Sequence, residues 1–158
     1  GATGRMVLEA LVASVEVMCR VGLAVPGALH ARHFHPTAIA GSFAAAAAAA
    51  KLNKLSEDQL VHAFGICGSQ ASGIIEYLAD GSWTKRLHPG WAAHAGVTAT
   101  LLARSGFTGP ETVFDGLHGL CAWHLDMPRA PVVCSGHQRS RGEAGRRVEG
   151  RAECGWPR

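Results

Sequence analysis

The chain has 158 residues, 47% of them hydrophobic and 17% charged, with a formal net charge of +3. That balance excludes an intrinsically disordered chain, and the length suits one domain with a real core. The charge is uneven: residues 1–120 hold eight Lys/Arg against eight Asp/Glu, and residues 121–158 hold seven Arg against four acids, so the basic excess gives no sign of a nucleic-acid surface on the folded part.

Thr3 is placed to cap a first helix, whose apolar positions Met6, Val7, Leu11, Val15, Met18 and Val21 or Gly22 recur at three-to-four spacing. Pro26-Gly27 ends it. Glu9, Glu16 and Arg20 lie inside this stretch and exclude a membrane span, while the uncharged run 38–50 is too short for one. No leader pattern is visible in the sequence given, so the cytoplasm is the default expectation. Residues 30–35 read as a polar loop.

A second helix starts at Pro36 or Thr37 and runs through Gly41, Ser42, Phe43 and seven consecutive alanines to Lys51. Proline belongs in a first turn, and alanine is the best helix former. A wall of alanine also lets a neighbouring helix come close, which marks this helix as central. Ser56-Glu57-Asp58-Gln59 reads as a capping box for a helix through Leu60, Val61, Phe64, Ile66 and Cys67. Gly65, Gly68 and Gly73 predict a break near 68–73.

Ile74-Ile75-Glu76-Tyr77-Leu78 resumes an apolar pattern, and Asp80-Gly81 turns the chain. Residues 82–87 read as a connecting segment. His88-Pro89-Gly90 reads as the opening of a further helix with apolar positions at Trp91, Ala92, Ala95, Ala99 and Leu102, stopping at Ser105-Gly106. A turn at 107–111 and a short helix follow. No strand is expected in residues 1–120, so the fold class is all-α. Five cysteines at irregular spacing exclude a disulfide framework; Cys19 and Cys67, in apolar helical settings, read as small buried hydrophobes.

After about Leu120 the composition shifts to Arg, Gly, Pro, Cys and Trp, and periodicity is lost. Residues 121–158 read as a disordered tail outside the fold. Either a genuine basic tail or a slipped G/C-rich reading frame gives this composition, and resequencing across codons 116–122 separates them.

Polar groups in residues 1–120 concentrate in two places, His30-Ala31-Arg32-His33-Phe34-His35-Pro36-Thr37 and Thr84-Lys85-Arg86-Leu87-His88-Pro89-Gly90-Trp91-Ala92-Ala93-His94. Each reads as a loop leading into a Pro-started helix. Unpaired N–H groups and a positive dipole end, joined by His, Lys and Arg, suit carboxylates. A metal site from His30, His33 and His35, or from His88 with His94, fits no standard ligand spacing. Gly65-Ile66-Cys67-Gly68-Ser69 and Gly116-Leu117-His118-Gly119 are neither P-loops nor dinucleotide fingerprints. No Gly-x-Ser-x-Gly elbow is present.

The two clusters also carry a resemblance. The stretch "HARHFHPTAIAGSFAAAAAAAKL", followed by "GSQASG" and then "TKRLHPGWAAHAG", resembles the MmgE/PrpD family. That family includes 2-methylcitrate dehydratase and cis-aconitate decarboxylase. The similarity spans roughly residues 4–120.

The resemblance implies a fragment of a large all-α domain, joined in full-length members to a smaller α/β lid, with the site between the two. It implies a lyase acting on small polycarboxylates, homodimeric, and working without metal or organic cofactor. The family's active-site histidine falls on His35 and its site lysine on Lys85, which makes these the catalytic candidates. Arg86 and His88 are candidates for substrate binding. Lys85 would hold a carboxylate, and His35 would move a proton or bind a carboxylate.

The family's upstream catalytic Asp and its lid residues have no counterpart in the sequence given. The chain alone is therefore expected to be inactive and to show an exposed apolar face. The competing reading is a non-catalytic helical fragment or dimerisation remnant. Neither nucleic acid nor a membrane is an expected partner.

Overall fold

The computed structural model describes residues 1–124. Seven helices make up that part: α1 (Gly4–Ala24), α2 (Ala28–Ala31), α3 (Pro36–Asn53), α4 (Glu57–Gln70), α5 (Tyr77–Asp80), α6 (Thr84–Arg104) and α7 (Leu120–His124). Among the described residues the β structure amounts to one isolated antiparallel bridge, Phe34 to Ile74. The fold is all-α. No helix of the described residues is long and apolar enough to cross a membrane. The composition shift at residue 120 falls inside α7, and the remainder of the tail lies outside the described residues.

The helix starts follow their caps. The Thr3 hydroxyl accepts the Met6 N–H at α1. Pro36 occupies the first turn of α3. At α4 the capping box is complete, with Ser56 Oγ accepting from the Gln59 N–H and Gln59 Oε1 accepting from the Ser56 N–H.

α3 is the axis of the bundle, packed by α1, α4 and α6, and α4 packs on α6 as well. It is buried on nearly every side, through Ala38, Ile39, Ala40, Phe43, Ala46 and Ala50 among others. Its alanines let α6 approach closely: a Cβ built on Gly96 would lie 2.5 Å from Ala45 Cβ, from the Ala46 nitrogen and from the Ser42 carbonyl oxygen. The buried hydroxyls between these helices are satisfied. Thr100 Oγ1 donates to the Gly96 carbonyl at 2.9 Å and reaches the Ala46 carbonyl at 3.3 Å, and Ser42 Oγ donates to Ala38. Phe43, Phe64 and Phe114 form a ring cluster that ties the 110–120 segment to α3 and α4.

Three local readings differ from the structure. α6 begins at Thr84, not at His88, so Lys85, Arg86 and His88 are helical and Pro89 lies inside the helix. Proline at this point leaves only the Lys85 carbonyl without its helical donor, and Lys85 is exposed to water. The segment 30–35 is not wholly loop: Gly27, at φ +73°, reverses the chain into the single turn of α2, which anchors Leu29 in the core. Cys19 is exposed rather than buried. α1 buries a narrow stripe centred on Ala10 and Val21, and Val7, Leu8, Leu11, Val12, Val15 and Leu23 on its remaining faces are exposed. The apolar face expected from the sequence is therefore on α1.

Candidate active site

Two loops are stapled together at one end of α3. The His35 N–H donates to the Gly73 carbonyl at 2.8 Å, and the Ile75 N–H donates to the His33 carbonyl at 2.9 Å. His33 adopts a left-handed φ of +62° to make this turn. The staple holds the loop after α4 against the entry to α3, and it places His35 at the N-cap of that helix with extended backbone.

Gly73, at φ +129°, sits where the site is tightest. A Cβ there would lie 2.6 Å from Ala38 Cβ and 3.3 Å from two atoms of the His88 ring. Both the backbone angle and the space exclude a side chain.

The site gathers side chains from three helices. His35 Nδ1 and His88 Nδ1 are 3.0 Å apart, a hydrogen-bond distance. Tyr77, from α5 and only 7% exposed, meets both imidazoles edge-on, with ring centroids 5.8 Å from His35 and 5.6 Å from His88. The Lys85 Nζ lies over the same tyrosine ring, 5.6 Å from its centroid. Lys85 and His88 are three residues apart on α6 and so share a face.

His35 is held below the ordinary imidazole value, first by burial and then by electrostatic interaction with His88, Lys85 and His30. Near neutral pH it is an uncharged imidazole beside an exposed ammonium group. That combination can hold an anion and exchange a proton with it.

The structure thus brings three of the four candidates, His35, Lys85 and His88, around Tyr77. The fourth, Arg86, turns to the exposed indole of Trp83, with its guanidinium carbon 5.1 Å from the ring centroid. His94 stacks on Trp91, and His30 and His33 are exposed. Among the described residues no three His, Cys, Asp or Glu side chains come together as a metal site. Tyr77 and Gly73 were read from the sequence only as an apolar position and a helix breaker. The available signal for Tyr77 was a polar-tipped ring within the largely apolar run Ile74-Ile75-Glu76-Tyr77-Leu78.

A cavity of about 690 Å³ lies under the 110–120 segment, lined by Ile39, Ser69, Thr112, Val113 and His118 among others. None of the four clustered side chains lines it, and beyond the His118 imidazole it offers carbon, glycine and hydroxyls, with no lysine or arginine. The histidine–lysine cluster is the better place for a carboxylate.

These features define the class of the chain: an all-helical domain with a paired imidazole and an ammonium group at the head of its central helix. The chain belongs to the MmgE/PrpD family, whose N-terminal domain profile matches residues 1–131. It is 42% identical over 113 residues to the cis-aconitate decarboxylase-like protein oryM of Aspergillus oryzae, covering 71% of this chain and 23% of that protein. It is 37% identical over 95 residues to cis-aconitate decarboxylase of Mus musculus, covering 60% of this chain and 19% of that protein. Cis-aconitate decarboxylase of Aspergillus terreus is 32% identical over 118 residues, covering 74% and 24% respectively. The chain spans about a quarter or less of the length of these relatives.

Proposed function

We propose that the chain supplies the histidine–lysine part of the active site of a lyase acting on a small tricarboxylic acid, with cis-aconitate the first substrate to test. The observation that carries this reading is the imidazole pair beside an ammonium group, gathered on one tyrosine. Lys85 pairs with a substrate carboxylate and stabilises the negative charge that builds as a carboxylate leaves as CO₂. His35 returns a proton to the carbon left behind. Loss of water from a 2-methylcitrate-like hydroxy acid would use the same groups, with His35 taking a proton instead. The relatives' names favour decarboxylation. The chain as given spans about a quarter or less of those relatives, and it binds the acid without turning it over.

The test is a titration of the isotopically labelled chain with cis-aconitate and with its uncharged trimethyl ester, followed by NMR, with chromatography for product. The acid should move the His35, Tyr77, Lys85 and His88 signals saturably, and the ester should not. Unmoved signals would remove the cluster from any acid site. The exposed apolar face of α1 favours a second reading, a non-catalytic module that assembles with other helices, and that is the reading an unmoved spectrum leaves standing.

A further inference from the structure

His88 belongs to the imidazole pair but is given no chemical step in the reading above, yet it makes the closest polar contact in the site. Among the described residues, the Nδ1-to-Nδ1 contact is the one hydrogen bond that either ring makes. At 3.0 Å there is room between the two nitrogens for one proton and not for two. With none, two lone pairs would face each other; with two, two N–H groups would. The surroundings disfavour the doubly protonated state further. The groups facing His35 are His88 and Lys85 from α6, Tyr77 from α5 and His30 from α2, and none of them is a carboxylate.

We propose that His88 is the positioning residue and proton partner of His35: the two rings share a single Nδ1 proton, so their tautomers are opposite and switch together. When His88 carries the shared proton, His35 is the Nε2–H tautomer, with that N–H left to meet a bound acid. The inference rests on the lyase reading for its chemical use, but not for its geometry.

The proton count closes for a decarboxylation. The bond from carbon to the departing carboxylate breaks, CO₂ leaves, and the electron pair stays on carbon. That carbon takes the proton from His35 Nε2. The shared proton moves from His88 Nδ1 to His35 Nδ1, and His88 Nε2 takes one from water. The pair holds two protons before and after, both rings end in the other tautomer, and the one proton the reaction consumes has come from solvent.

The experiment needs no substrate. Long-range ¹⁵N NMR of the whole chain, recorded slightly above neutral pH, reports the tautomer of each ring. One of the two should be the Nδ1–H form, the minority form of an isolated imidazole. His88→Asn, whose amide sits where Nδ1 was, should keep His35 in a single tautomer with its titration midpoint still low. His88→Leu should release it to a mixture and raise the midpoint, with amide spectra showing that both variants fold. Two Nε2–H rings in the unaltered chain, or a His35 indifferent to His88→Leu, would overturn the proposal. Opposite tautomers with no response to cis-aconitate would keep the pair and sink the lyase reading instead.

Discussion

Gly96 and Gly90 lie on the same helix, α6, and the same substitution should act on them in opposite directions. Nothing lies within 4 Å of a Cβ built on Gly90, so Gly90→Ala gains only the helix propensity of alanine, about 0.5–1 kcal/mol. At Gly96 the added carbon would sit 2.5 Å from Ala45 Cβ, from the Ala46 nitrogen and from the Ser42 oxygen. Ordinary carbon contacts are about 3.5–4.0 Å, so α6 must move off α3 by roughly 1 Å. Two of those three atoms are backbone and cannot rotate aside. Overpacking of this kind costs about 1–3 kcal/mol, and loosening the Thr100 hydroxyl from the Ala46 carbonyl adds about 1 kcal/mol. Set against the same propensity gain, Gly96→Ala should destabilise the chain by about 1–3 kcal/mol. Urea unfolding of the two variants followed by circular dichroism measures both. A Gly96→Ala chain as stable as Gly90→Ala would refute the close approach of α3 and α6, and with it the spacing of His35 and His88, which those helices set.

Three further outcomes follow from the site and the core. His35 titrates below its ordinary value in the fold, so the unfolded chain binds more protons between that lowered value and about pH 6.5. Stability should therefore be full above that pH and fall as acid is added through it, and His35→Gln should flatten that part of a stability–pH curve. Gly73→Ala should cost about 2–3 kcal/mol, because it combines strain at φ +129° with a 2.6 Å clash on Ala38, and it should shift the His88 ring signals. Alkylation mapped by mass spectrometry should modify exposed Cys19 quickly and spare Cys67, whose thiol is buried, donates to the Ser42 carbonyl and is pushed up to about 12 by burial; Cys67 should react only on unfolding.

Much of the fold is legible because its helix starts use local chemistry. Thr3, Pro36 and Ser56 each announce a first turn through groups within three residues of themselves. The start of α6 is not legible in that way. Pro89 looks like a first-turn proline, yet the turn before it is helical in the structure, with its Lys85 and His88 set against the Tyr77 ring. Cys19 fails for a related reason. A periodic helix can bury one stripe and leave other apolar positions exposed, and periodicity does not say which stripe α3 will cover. His35, Lys85 and His88 stand out as charged or titratable residues in an apolar chain. Tyr77 does not, because within Ile74-Ile75-Glu76-Tyr77-Leu78 it is one more core residue until the fold brings it under two imidazoles.

The alanine run and the histidine pair, which look unrelated along the chain, belong to one device. His35 heads α3 and His88 rides on α6, so the distance between their rings is set by how closely those two helices pack. Larger residues at Ala45, Ala46 or Gly96 would part the backbones by an ångström or more, and a 3.0 Å contact does not survive that as a hydrogen bond. Gly73 does the same on the loop side, where any Cβ would meet Ala38 and crowd the His88 ring. Small residues in the core thus help to set the spacing of the histidine pair, and substitutions well away from the imidazoles should change how His35 titrates before they change whether the chain folds.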